Sequence, residues 1–388
     1  MHPIGGSVLL LDSELQKILN VDARLALLWS CIEDGFDESE VVSLFETELG
    51  MPKQAARAEV ARLVDALDAL VAPPTEGHRV ESPSIEKATK TYPHPLPSYG
   101  RSVRIALLGT VFEIDFPTEI LRERFRSTMK HLETDAPTVD VPVVVVERGG
   151  GFNVVINGQV VEECEEAIEL APQVKSALCH AAINGHDFDA CVHSAVVTWG
   201  DRVVVLPADS GSGKSCLALT LAGAGFDCLS DDLALFFLDG PAVRGVPAGS
   251  CVKEDAWDVI GAIHPALATA PTHRRVDGKT VKYLTIAAPD STPRPVDFIV
   301  FPRFHRDGGE EARLTPLDPI PALAKLLGAV LAWRARLTPA ILDGLIGWIE
   351  TTRCYAFHYG PNDDAARIIK DLLRHDIAAG SARNCVNA

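Results

Sequence analysis

No two cysteines in this sequence are spaced as C-x-x-C, and the nine present are scattered. That excludes the usual paired-thiol metal and redox motifs. An odd, unpatterned set points to buried thiols of a cytosolic protein rather than a disulfide framework. Positive charge is scarce: 36 Lys and Arg stand against 53 Asp and Glu, a formal net charge of −17. A chain so acidic lacks the net basic surface that a nucleic-acid partner usually needs, although a local basic patch for a phosphorylated ligand stays open. The opening MHPIGGSVLLLDSELQK has neither the basic start nor the long apolar run of a signal peptide. No unbroken apolar stretch reaches the length of a membrane span, and ALAKLLGAVLAWRA is too short. No internal repeat is visible. The expectation is a cytoplasmic protein with no membrane and no nucleic-acid partner.

What is present suits a large soluble protein. The 388 residues are 47% hydrophobic and 23% charged, enough for a substantial core and for two or three domains. Residues 1–72 read as a small module. SVLLLD at 7–12 is a strand candidate, and three helices follow. Leu25, Leu28 and Ile32 fall at helical spacing before Gly35, DESEVVSLFETELG has an acidic first turn and ends on Gly50, and Val60, Leu63, Val64 and Leu67 form an apolar stripe. Residues 73–100 are dense in Pro and Gly and read as a linker. From 101 to 170, VRIALLG, VFEIDF, VDVPVVVVE and GFNVVINGQVV are β-branched strand candidates, interrupted by one helix near PTEILRERFRSTMKHL. The rest, 171–388, mixes strands and helices around a glycine-rich turn and predicts an α/β catalytic domain.

That turn follows the apolar strand RVVVLP and precedes the helix SCLALTLAGAG. It reads Ala208, Asp209, Ser210, Gly211, Ser212, Gly213, Lys214, Ser215, a Walker A pattern with alanine for the first glycine. Gly211 and Gly213 let backbone N–H groups curl toward a phosphate, the helix start favours the anion, Lys214 reaches the β- and γ-phosphates, and the Ser215 hydroxyl meets Mg²⁺. The alanine is tolerable if position 208 does not need a positive φ. Beyond the helix, FDCLS ends in Asp231 and Asp232. Two carboxylates there suit a second metal anchor and a base for an attacking hydroxyl; the plain alternative is a solvated acidic turn. His193, in the preceding strand CVHSAVV, either is a hydrogen-bonded core residue or orients phosphate or base. Arg274, Arg275 and Lys279 in HRRVDGKTVKY make a local basic patch, either a clamp on triphosphate or substrate phosphate or a solvated turn.

His193, ADSGSGKSCLALTLAGAG and LSDD together resemble the catalytic core of the HPr serine kinase superfamily, and the similarity covers roughly residues 101–375. It implies a P-loop HPr-kinase-like α/β domain using ATP and Mg²⁺. Residue by residue, it implies Lys214 and Ser215 at the phosphates and metal, Asp231 as base on a substrate serine, His193 supporting it, and Asp232 with Ser215 on the metal. Asp209, Ser210, Gly211, Ser212 and Gly213 would line the nucleotide. The later GKTVKYL, PRPVDFIVFPRF and CYAFHYGPNDDAARII also look like HPr-kinase-related enzymes of biosynthetic clusters. The segment past the aspartates, roughly E-x-R-G in HPr kinase/phosphorylase proper, is PAVRGVPAG here and keeps only Arg244 and Gly245. The bacterial sugar-regulation role and the reverse reaction are therefore not carried over.

The first 70 or so residues are similar to PqqD-like, winged-helix-like modules, a resemblance carried by Leu19, Asn20, Ala23, Leu27 and Trp29. Such modules bind the leaders of ribosomally made precursor peptides by adding a strand to a small sheet. Together the resemblances imply a serine kinase of a peptide or protein substrate, and the family also suggests a homo-oligomer. A kinase of free serine or another small hydroxyl metabolite, and a nucleotide-gated assembly protein without transfer, remain open. A helical scaffold or a helix-turn-helix remains open for the first module.

Overall fold

The computed structural model describes residues 2–4, 7–12, 17–71, 90–209, 211–286, 292–306, 312–361 and 364–384. Ser210 and residues 73–89 of the expected linker lie outside the described residues. The chain forms two compact units: Met1–Ser82 with Asp318–Leu323 and Ala335–Thr351, and Pro83–Leu317 with Ala324–Arg334 and Thr352–Ala388. No helix among the described residues is long and apolar enough to cross a membrane.

The first unit opens with three antiparallel strands, His2–Ile4, Ser7–Asp12 and Lys17–Val21, adjacent in that order. The sequence signals only the middle one. Strands of three and five residues carry too little alternation to read. Helices follow at Ala23–Glu33, Glu38–Glu48 and Lys53–Val71. The Asp22 carboxylate caps the first by accepting from the Arg24 and Leu25 N–H groups, and Asp37 and Glu40 form a capping box on the second. Leu28, Phe45 and Leu63 from the three helices close a core with Leu10 of the sheet. Leu19, Leu27 and Trp29 pack half-buried against it, whereas Asn20 and Ala23 are exposed. Helix Pro339–Thr351 belongs to the same unit: it packs on His2–Ile4, and His2 Nδ1 is hydrogen-bonded to the Asp343 carboxylate. No local pattern in the tail announces that pairing.

The second unit has an α/β architecture with mixed sheets. Its six-stranded sheet runs Lys90–Thr91, Gln159–Cys164, Gly151–Ile156, Val141–Arg148, Thr110–Asp115, Ser102–Leu107. Only Thr110–Asp115 and Val141–Arg148 pair in parallel, and helix Glu119–Met129 lies between them in sequence. Helix Ala167–Asn184 packs on this sheet, and the apolar core beneath it continues into Cys191 and Leu235 of a larger sheet. The boundary expected at 170/171 thus falls inside one helix.

The larger, ten-stranded sheet is organised around Ala190–Trp199. That strand pairs antiparallel with Arg202–Pro207, which lies parallel to Phe298–Phe304, itself parallel to Arg353–Tyr359. Phe298, Ile299, Val300 and Phe301 are buried in succession, the continuous apolar run expected of a strand covered on both faces. Along Ala190–Trp199 the neighbours change on both sides. Residues 190–193 pair with 233–236 on one side, and residues 196–198 pair there with Asp227–Ser230. On the other side, Val330–Trp333 gives way to Arg202–Pro207 at Ser194. His193 sits at this double exchange.

Candidate active site

The glycine-rich turn and the aspartate pair both leave the sheet at that exchange. Pro207, the last residue before the turn, lies opposite Ser194, and Leu233, the first after the aspartates, lies opposite His193. The Ala208 N–H donates to the His193 carbonyl at 3.2 Å, and the Ser194 N–H to the Asp232 carbonyl at 3.0 Å. Where strand order changes, the chain ends diverge and leave a crevice, the place where open α/β sheets bind ligands.

The turn is clamped from outside. The Phe304 N–H donates to the Ser212 carbonyl at 2.9 Å, and the Tyr359 hydroxyl to the Gly213 carbonyl at 3.1 Å. Both come from the ends of the two parallel strands. Gly213 has φ +92°, and a Cβ there would meet Phe304 Cβ at 2.6 Å and the Tyr359 hydroxyl at 2.7 Å. Only glycine fits. Ala208, where the pattern has its first glycine, is not among the residues of positive φ, so the alanine costs the backbone nothing.

Lys214 begins helix Lys214–Gly223 and is 4% exposed. Its ammonium donates to the Asp231 main-chain carbonyl. Burial pulls Lys214 below its ordinary pKa, against the attraction of Asp232 and Asp231. Asp231 is buried, with the Ser215 side chain favouring its charged form. Burial first, and then the charge of Asp232, push the Asp231 carboxyl above its ordinary value. Asp232 has a half-exposed side chain, with Oδ1 3.2 Å from His193 Nδ1. Burial raises its pKa, but the His193 hydrogen bond and the Lys214 and Lys175 charges outweigh that and hold it well below the usual carboxylate range. The structure therefore brings Lys214 to the Asp231 main chain and His193 to the Asp232 carboxylate.

The remaining expected residues divide. Arg274 is bound at 2.5 Å by Glu166 and at 3.0 Å by Glu169, near the start of helix Ala167–Asn184. Lys279 is paired with Asp277 at 3.2 Å. Of the three basic residues, only Arg275 lines the cavity that also contains His193 and Asp232. Asp209 and Gly211 are exposed on the turn. Sequence reasoning missed Lys175 in the cavity wall and Lys253 within electrostatic reach of Lys214, because each comes from an element with no motif, and it read the stretch holding Tyr283 only for its basic residues.

Whether a magnesium–nucleotide complex suits these residues is tested by the groups left without partners. Among the described residues, the Ser212 hydroxyl and Asp231 Oδ2 are buried with no hydrogen-bond partner. Buried orphans of this kind are costly unless a ligand completes them. No group of three His, Cys, Asp or Glu side chains is placed to hold a metal among the described residues. Magnesium bound with a nucleotide needs only one or two carboxylates besides phosphate and water. The residues fit.

No protein-family model and no curated protein matches the chain. Among solved structures it shows a weak, partial match to the Hpr(Ser) kinase/phosphatase from Coxiella burnetii, at 9% identity over 51% of this chain and 96% of that chain, with a TM-score of 0.25. At that TM-score the likeness carries no argument, and the site rests on its own geometry.

Proposed function

We propose that the chain is an ATP- and Mg²⁺-dependent kinase that phosphorylates a serine-type hydroxyl. The observation that carries this reading is the convergence at His193 of a glycine turn that admits no Cβ, a buried lysine and two carboxylates with different partners. In this reading Lys214 and the turn hold phosphate oxygens, and Ser215 with Asp231 holds the metal. Asp232, oriented by His193, takes the hydroxyl proton. These aspartate roles are the reverse of those expected from the resemblance. Their support is that Asp231 is buried with Oδ2 unpartnered and Lys214 on its main-chain carbonyl, that His193 pairs with Asp232, and that of the two only Asp232 lines the cavity. Geometry takes precedence over pKa in choosing a base. When bound, Mg–ATP supplies the phosphoryl group and an electrophilic phosphorus. The acceptor oxygen bonds that phosphorus as its bond to the ADP oxygen breaks, and the proton passes to Asp232. Intact-mass analysis of Mg–ATP reactions with candidate acceptors tests the reading: one phosphate gained on a hydroxyl supports it. Nucleotide binding with no phosphorylated acceptor overturns it in favour of an assembly role.

We further propose that the first unit captures the leader of a precursor peptide along its three-stranded sheet, raising the local substrate concentration. Deleting residues 1–75 is a poor test, because helix Pro339–Thr351 would lose its partner strand. The full chain should instead be assayed with one precursor with and without its leader. Leader removal is expected to lower kcat/KM by about tenfold or more and to leave the KM for Mg–ATP unchanged. An unchanged kcat/KM would refute leader capture.

A further inference from the structure

Beside the aspartates lies a cavity of about 320 Å³, at the small end for ligand sites. Its wall includes Asp232 and His193 together with Lys175, Arg275, Tyr283 and Cys251. None of the described residues among 208–215 lines it. The cavity and the glycine turn are therefore separate spaces that meet at the carboxylate pair, as donor and acceptor sites must.

The charge in this cavity is lopsided. Lys175, on helix Ala167–Asn184, is 8% exposed, and its ammonium lies 5.3 Å over the Tyr283 ring. Among the described residues it has no salt-bridge partner. Burial opposes its charge, and the Asp232 and Asp231 carboxylates favour it. Arg275 adds a second cation, with Nε 3.4 Å from Asp277 at a partly exposed pair. Among the described residues Asp232 is the only carboxylate in the wall, and His193 already engages it. A buried ammonium over a ring face, without a carboxylate against it, is an anion site awaiting its anion.

We propose that this cavity seats the acceptor and that the acceptor carries a free carboxylate beside its hydroxyl, with Lys175 and Arg275 holding the carboxylate while the hydroxyl faces Asp232. The inference rests on the kinase reading above and narrows it. Two sources share the chemistry: a free hydroxy acid such as serine, and a chain that ends in serine. A serine in the middle of a chain has no carboxylate to offer.

The test is a pair of probes that differ only in that group. N-acetyl-L-serine and N-acetyl-L-serinamide are titrated by calorimetry into the full chain, as are Ala-Ala-Ala-Ser and its C-terminal amide. The free acids are expected to bind about tenfold or more tightly than the amides, and Lys175→Met or Arg275→Gln to shrink that preference. Equal binding of acid and amide, no binding of either acid, or a preference surviving intact in both variants would overturn the proposal. Because the acid–amide contrast is read on the unmodified chain, it does not depend on either variant folding. The same probes are then incubated with Mg–ATP. Transfer to acid and amide alike would sink the carboxylate site and leave the kinase standing. Selective binding without transfer would keep the site and sink the kinase. Preference between L-serine and the free tetrapeptide assigns the source, and either result supports the site.

Discussion

Asp231 and Asp232 are neighbours in the chain and occupy opposite environments. Asp231 is buried on the side of the glycine turn, against Ser215, with Oδ2 left unpartnered and Lys214 bound to its main-chain carbonyl. Asp232 is half-exposed on the side of the cavity, against His193, with Lys175 and Arg275 in the same wall. One carboxyl is pushed up in pKa and the other held down. Role follows from what other elements bring to each residue, not from its place in a two-letter motif. In the proposed reading, one side receives a cation with a nucleotide. The other, in the same reading, receives a hydroxyl, with cations set back from it.

The strongest way to break this contrast is to neutralise each carboxylate in turn. Asp232→Asn is expected to lower phosphoryl transfer by about 10²–10⁴-fold, the usual weight of a positioned base, while nucleotide and magnesium affinities stay close to the parent's. Asp231→Asn is expected to raise the magnesium concentration needed for half-maximal transfer. Titrating magnesium into both variants and measuring transfer separates the outcomes. If Asp231→Asn abolished transfer with magnesium affinity intact, the roles would return to the order the resemblance implied.

Half of this contrast is legible in the sequence. The turn, Lys214, Ser215 and the aspartate pair are contiguous or nearly so, and a glycine-rich turn between strand and helix announces itself locally. His193 is ambiguous until its strand is seen to exchange partners. The cavity side is not legible. Lys175 reads as an ordinary lysine on a helix, and nothing local distinguishes Arg275 from Arg274 one residue earlier. Yet Arg274 is consumed by Glu166 and Glu169, whereas Arg275 faces the cavity. Arg274 ends the short strand His273–Arg274 and Arg275 begins the turn after it, so a basic cluster splits where the strand stops. The same limit applies to the fold. Long alternating runs such as Val141–Arg148 are visible, but Ala242–Gly245, Ser250–Lys253 and Val330–Trp333 have four residues each and exist because the sheet supplies neighbours. The pairing of helix Pro339–Thr351 with strand His2–Ile4 joins the two ends of the chain, where periodicity has no reach.

A smaller effect sharpens the contrast in the ligand-free protein. A carboxyl whose folded pKa is raised, as at Asp231, binds its proton more readily folded than unfolded, so its charge costs stability at neutral pH. That cost is relieved as pH falls through the raised pKa toward the unfolded value of about 3.9. A carboxyl whose folded pKa is depressed, as at Asp232, contributes stability above the unfolded value and loses it as pH falls through the folded one. The two substitutions should therefore shift thermal unfolding in opposite directions. Asp231→Asn is expected to raise Tm at pH 7 by about 1–2 °C, roughly 1 kcal/mol in a chain of this size, with the gain shrinking toward pH 4. Asp232→Asn is expected to lower it by less. Its side chain is 45% exposed, so solvent screens the pairing with His193. Its removal also lifts the repulsion that raises Asp231, which offsets part of the loss. Unfolding scans between pH 4 and 8, without nucleotide or magnesium, read both signs. If Asp231→Asn lowered Tm at neutral pH, its carboxylate would be held by partners that its unpaired Oδ2 does not have, and it would no longer be the side of the pair waiting for a cation.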